Sequence, residues 1–217
     1  MATYNVEDIK YAVRVALYEN GVDEKLLADE DTDTLELDEL IGAKIEEAVR
    51  RVEKDAPVFF LETGHNFGSA VYWTANGSGY VKLPDDFMRL VCFKMSDWER
   101  TVYEAIGTGD ARYLLQRSRY AGVRGNKQKP VCAIVKEPEG NRLEFYSSDK
   151  SQTAKVEKAV YVPFKAIETL ADGTKGIDIS ERCYGSVVYM TASLTLAARG
   201  LNEQATVLSG LAQSLLE

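Results

Sequence analysis

The chain has 217 residues, 45% of them hydrophobic and 28% charged, a make-up that matches a folded globular protein and excludes a disordered tail. A chain of this length forms one domain or two small ones and buries about 70% of its unfolded surface, enough for a core without staples. Its 26 Lys and Arg against 34 Asp and Glu leave a net charge of −8, which argues against a generally basic nucleic-acid binder.

A first helix is expected to begin after Asn5, whose side chain can accept an early backbone N–H. Ile9, Val13, Ala16 and Leu17 then recur at helical spacing, and Asn20-Gly21 is the expected end, because Gly tolerates the left-handed conformation beyond a C-terminus. Residues 23–38 read as an acidic connector. A second helix follows, with Leu37, Leu40, Ile41, Ile45, Ala48, Val49 and Val52 on one stripe, and Ala56-Pro57 stops it.

From Val58 the period changes. Ala70-Val71-Tyr72-Trp73 and Tyr80-Val81-Lys82-Leu83 flank Asn76-Gly77-Ser78-Gly79, which is strong hairpin-turn chemistry. Further strands are expected at 89–94, 101–104, 131–136, 142–146 and 156–162. A short helix capped by Asp110 is expected over 110–118, with a loop at 122–130. Repeated short strands with intervening turns indicate an antiparallel sandwich or barrel. After Pro163 the pattern turns helical again: a long segment rich in Val, Met, Ala and Leu runs over 180–199, and Gly200 breaks it. Leu201, Ala205, Leu208, Leu211, Ala212 and Leu215 line a last amphipathic helix, which packs on its own domain or docks on a partner. The expected fold is therefore α+β: a helical domain from 1–57 and 166–217, with a β-rich domain inserted at 58–165.

Chemistry is sparse along this plan. Cys92, Cys132 and Cys183 are odd in number, far apart and set in apolar contexts; they read as buried small hydrophobes rather than a disulfide framework or zinc ribbon. The first residues lack the basic and apolar regions of a secretory signal, and no run approaches about 18 apolar residues. Folding in a reducing cytoplasm is the expectation. The single histidine, His65, lies in Glu62-Thr63-Gly64-His65-Asn66 and reads as a solvated loop residue. Asp85-Asp86 after Leu83-Pro84 reads as turn chemistry, with carboxylates accepting backbone N–H groups. Gly107-Thr108-Gly109-Asp110 lacks the remaining glycine of a dinucleotide motif and the Gly-Lys of a P-loop, so it reads as a turn and N-cap. No catalytic, metal-ligating or cofactor-binding residue is expected, and the chain is not read as an enzyme.

Charge is segregated. Residues 23–47 hold eleven acids against Lys25 and Lys44. Residues 111–130 hold Arg112, Arg117, Arg119, Arg124, Lys127 and Lys129 with no acid, and Tyr113 and Tyr120 are interleaved. Three readings stand side by side: a solvated segment balancing the acids of its own chain, an interface between subunits, or a surface that meets nucleic-acid phosphates.

The stretch Tyr80-Val81-Lys82-Leu83-Pro84-Asp85-Asp86-Phe87-Met88-Arg89-Leu90-Val91, followed by Trp98, resembles the head–tail connector proteins of tailed bacteriophages. These are the adaptor, ring or neck proteins, and the resemblance is to the tail tubular protein A group and the ring proteins of crAss-like phages. The surrounding plan of acidic N-terminal helices, β-rich insertion and Ala/Leu-rich C-terminal helix is similar too. The resemblance implies a non-enzymatic virion protein at the neck, assembled in the host cytoplasm. It implies a homo-oligomeric ring, usually of about twelve copies, lying below the portal protein and against an adjacent neck or tail protein. Double-stranded DNA would pass through its lumen without sequence-specific binding, and no membrane would be involved. The interface residues expected are Arg112, Arg117, Arg119, Arg124, Lys127 and Lys129. The alternative is a nucleic-acid-binding accessory protein that uses the same 112–129 segment.

Overall fold

The computed structural model describes residues 2–19, 37–120 and 122–217; the helix end expected at Asn20-Gly21 and most of the acidic connector lie outside the described residues. The elements in chain order begin with β1 (Ala2–Asn5), α1 (Val6–Glu19) and α2 (Leu37–Asp55). Next come β2 (His65–Asn66), β3 (Tyr72–Trp73), β4 (Gly79–Lys82), β5 (Phe87–Met95), β6 (Ile106–Gly107) and α3 (Ala111–Leu115). The series closes with β7 (Cys132–Glu137), β8 (Gly140–Phe145), β9 (Val156–Pro163), β10 (Glu168–Thr169), β11 (Lys175–Ile179), α4 (Tyr184–Ala198) and α5 (Asn202–Ser214). The protein is thus a mixed α+β structure. It forms two compact units, Met1–Glu62 with Lys165–Glu217, and Thr63–Phe164.

In the first unit Asn5 caps α1, its side chain accepting the Glu7 N–H at 2.9 Å. Val6, Ile9, Val13, Ala16 and Leu17 are the buried face of α1, and Ile41, Ile45, Ala48, Val49 and Val52 that of α2. Both pack on α4. Ten of the fifteen residues of α4 are buried, as expected of a central helix that is apolar all round. Its buried hydroxyls are all satisfied: Thr191 and Thr195 bond back to the Val187 and Thr191 carbonyls, while Ser186 and Ser193 donate to the Ala212 and Ala205 carbonyls of α5, each at 2.6 Å. Gly200, at φ 79°, provides the left-handed residue between α4 and α5.

This unit is not purely helical, contrary to expectation. Residues 168–179 form the hairpin β10–β11, and β1 adds to the other side of β11 in antiparallel register from Ala2↔Ile179 to Asn5↔Gly176. The reason is local. Asp172 accepts from the backbone and hydroxyl of Thr174 at 2.9 and 2.7 Å, Gly173 takes φ 83°, and Ile177 and Ile179 then alternate inward. A second difference lies on α5, where Ala205, Leu208 and Ala212 are buried but Leu211 and Leu215 of the expected stripe are exposed.

Glu53 on α2 is the one charged side chain among the buried described residues, 2% exposed. Burial pushes its carboxyl up to about 7; the Lys165 charge pulls it down and the Asp178 charge raises it further.

The second unit holds two sheets, β2-β9-β5 and β3-β4-β8-β7-β6, antiparallel except for the parallel β6–β7 pair. One buried cluster draws on both: Val81, Cys132, Leu143 and Phe145 from one sheet, and Phe87, Leu90, Phe93, Met95, Ala159 and Tyr161 from the other. Residues 80–102 supply eight members, including Leu83, Trp98 and Val102.

Strand β5 buries Phe87, Leu90 and Phe93 at every third position. A strand alternates with period two, so an extra residue must intervene each time. The register shows where: it shifts between Phe87 and Arg89 and between Leu90 and Cys92, setting Met88 and Val91 outside the one-to-one pairing with β9. The β3–β4 turn places Asn76 and Gly77 at φ 62° and 72°, with the Ser78 N–H donating to the Ala75 carbonyl, the two left-handed residues of a type I′ turn. The strand expected at 101–104 reduces to one bridge, Phe93↔Val102.

Candidate functional site

The basic segment forms a flap on the second unit. It starts where β6 turns through Gly107 into α3. Asp110 is the N-cap: its carboxylate accepts the Arg112 backbone N–H at 2.8 Å and grips the Arg112 guanidinium at 2.6 Å. Those bonds hold the Asp110 carboxyl down to about 2. The N–H that a phosphate would need at this turn is therefore already occupied.

Three features hold the flap: a bond to the sheet, a bond across its own ends and a close approach at Gly125. Tyr113 on α3 donates to Glu144 at 3.3 Å, and the same carboxylate takes the Tyr146 hydroxyl at 2.6 Å and Arg142 at 2.6 Å. Burial and the Glu144 charge together push the Tyr146 hydroxyl well above the usual tyrosine range. Gln116, buried, donates to the Arg112 carbonyl and accepts the Gly125 N–H at 2.8 Å, tying the two ends of the loop together. At Gly125 a Cβ would lie 2.6 Å from the Ser147 hydroxyl and 3.0 Å from the Val131 nitrogen, so only glycine fits that approach.

The six cations divide along this architecture. Arg112 is engaged by Asp110, and Lys127 pairs with Asp149 at 2.9 Å and Asp97 at 3.7 Å. Arg124 is half-buried and donates to the Asn76 carbonyl at 3.4 Å. Arg117, Arg119 and Lys129 are exposed and make no ion pair among the described residues. Arg119 lies over the Tyr120 ring at 4.9 Å and donates to its hydroxyl at 2.7 Å, which limits the rotamers of both side chains.

Sequence reasoning selected the charges and the interleaved Tyr113 and Tyr120 but missed Leu114, Leu115 and Val123. Leu114 is 68% exposed and Tyr120 59%, and Leu115 and Val123 stand out beside them. A solvated charged loop has no need of such residues. The outer half of the flap therefore combines cations outside any ion pair among the described residues with exposed apolar side chains. The signal was present in Tyr113-Leu114-Leu115-Gln116, where two adjacent leucines end a five-residue helix too short to bury both.

Exposed apolar residues gather on two helices of the first unit as well. On α1, Tyr11, Val15 and Tyr18 recur at i, i+4 and i+7, with the two tyrosines 72% and 78% exposed. On α5 and its C-cap, Val207, Leu211 and Leu215 recur every four residues. Each set lies on one side of its helix.

The other residues weighed in the sequence carry no comparable arrangement. His65 is exposed on β2, paired with Tyr161 in register. Asp85 and Asp86 sit in a turn closed by the Phe87 N–H on the Pro84 carbonyl, and the Asp86 carboxylate accepts the Tyr161 hydroxyl at 2.9 Å while its backbone carbonyl takes the Phe164 N–H. Burial, aided by the Asp86 charge, pushes the Tyr161 hydroxyl up to about 12. Cys132 and Cys183 are buried free thiols raised by burial, Cys183 to about 11, whereas Cys92 is only half-buried. Among the described residues no group of three or more His, Cys, Asp or Glu side chains could hold a metal ion, and no helix is long and apolar enough to cross a membrane.

No protein-family model matches the chain, and comparison with curated proteins gives no significant match.

Proposed function

We propose that this chain is a non-enzymatic head–tail adaptor of a tailed phage. It would assemble as a ring below the portal, extend the DNA channel and offer the tail a platform. In this reading the units are a mainly helical domain and an inserted β-sandwich. The observation that carries it is the gathering of exposed apolar side chains on three surface elements: α1, α5 and the flap. Monomeric proteins scatter such residues singly, and gathered patches mark interaction sites. The resemblance of the 80–102 segment to connector proteins supplies the kind of assembly. The net charge of −8 is compatible with it, since a strongly basic channel wall would retard the passing phosphates.

Direct nucleic-acid binding draws less support, because Arg112 and Lys127 are already neutralised by Asp110, Asp97 and Asp149. The test is co-sedimentation of the full chain with the cognate portal protein, alongside a duplex-DNA titration at rising salt. Co-sedimentation with weak DNA binding is the expected result. DNA affinity that falls steeply with salt, without portal association, would overturn the adaptor reading.

A further inference from the structure

We propose that the flap of one copy seats in an acidic groove on the first unit of a neighbouring copy, an inference that rests on the ring-adaptor reading above. The groove lies between α1, α2 and β10 and has a volume of about 640 Å³, within the roughly 300–1,000 Å³ range of sites that hold a compact ligand. Its lining is mixed. Ala43 and Ile167 offer apolar surface, and five acids stand against two lysines, Lys10 and Lys175.

Three of those acids are already engaged. Glu7 pairs with Lys10 at 2.8 Å and Asp38 with Arg14 at 2.8 Å, while Glu46 accepts the Ile167 N–H at 2.9 Å. Glu39 and Glu168 are exposed and make no ion pair among the described residues. Gly42 contributes to the lining without a side chain, and the Lys10 stem lies against it: a Cβ there would come within 3.2 Å of that stem.

The flap carries the complementary set: Arg117 and Arg119, exposed and in no ion pair among the described residues, and exposed apolar groups at Leu114, Leu115 and Tyr120, the last lying under Arg119. Cations meet Glu39 and Glu168 while the leucines and Tyr120 meet the apolar lining, so charge and hydrophobicity are matched at once. The two patches belong to different parts of the chain. Contact between them across copies is therefore heterologous, the kind that closes into a ring when the rotation allows.

A charge-swap measured on the full-length chain tests this. Oligomer mass is followed against concentration at about 0.1 M ionic strength, where charge pairs at an interface are not yet screened out. The variants are R117E/R119E, E39R/E168R and the four combined, each checked for unchanged circular dichroism and melting. Either pair alone is expected to lower the assembled fraction about tenfold, and the combination to restore it, because both partners then carry reversed charge. Pairs that assemble like the unaltered chain, or a combination no better than either pair, would overturn the groove assignment and leave the adaptor reading standing. An unaltered chain that stays monomeric alone and with portal would remove both. Loss of DNA binding in R117E/R119E with unchanged oligomer mass would make the flap a nucleic-acid surface and refute the proposal.

Discussion

Replacing Glu53 by Gln should make the first unit more stable at pH 8 and leave it little changed at pH 4. Glu53 is 2% exposed on the inward side of α2, and burial raises its carboxyl from an ordinary 4.5 to about 7. Because the folded value lies above the unfolded one, the favourable contribution is fully present below about 4.5 and is lost as pH rises through about 7. At 1.36 kcal/mol per tenfold change in proton affinity, the full linkage is about 3 kcal/mol. The folded value of about 7 already includes the Lys165 and Asp178 charges, so about 3 kcal/mol is the expected change across that window. Urea unfolding followed by circular dichroism, at intervals from pH 4 to 8, reads it as a difference between the two proteins. Subtraction removes the titration of every other group. The gap should open in favour of Glu53→Gln between pH 5 and about 7 and then stay constant. Parallel curves over that range would show that the carboxyl is not desolvated, and the account of α2 packing would fail.

In the β unit, Trp98 is buried beside Phe93 and Phe145, and its indole N–H has no hydrogen-bond partner among the described residues. Trp98→Ala should cost about 3–5 kcal/mol in urea unfolding, and Trp98→Phe about 1–2, since the lost donor was unsatisfied; equal costs would contradict that reading. Gly77→Ala should destabilise by about 2 kcal/mol or more, because its Cβ would lie 2.0 Å from the Ser148 carbonyl at φ 72°. Gly109→Ala, which meets nothing within 4 Å, should stay within about 0.5 kcal/mol in the same urea unfolding. Ser186→Ala and Ser193→Ala should each cost about 1 kcal/mol of thermal stability by removing the hydroxyl bonds that join α4 to α5.

Helices and hairpins announced themselves in the sequence wherever a single physical rule governed them. The 3.6-residue stripe of α1 and α2, the Asn76-Gly77 turn and the Asp110 cap each depend on neighbours within a few positions. What stayed hidden depends on partners far along the chain. The spacing of Phe87, Leu90 and Phe93 makes sense as strand only once two irregularities against β9 are placed. The β1–β11 pairing joins residues at opposite ends of the chain. The charged residues of the flap were visible, but which were free was not, because Lys127 is neutralised by Asp97 and Asp149 from other loops. Exposure of Leu211 and Leu215 was equally hidden: a helical stripe reports which residues share a side, not whether another element covers it.

The central claim is self-assembly for a structural role, and the mass of the particle in solution tests it most directly. Native mass measurement of the purified 24.1 kDa chain, alone and mixed with its portal protein, should give a closed oligomer of about twelve copies, formed on the portal if not before it. A strict monomer under both conditions would contradict the account.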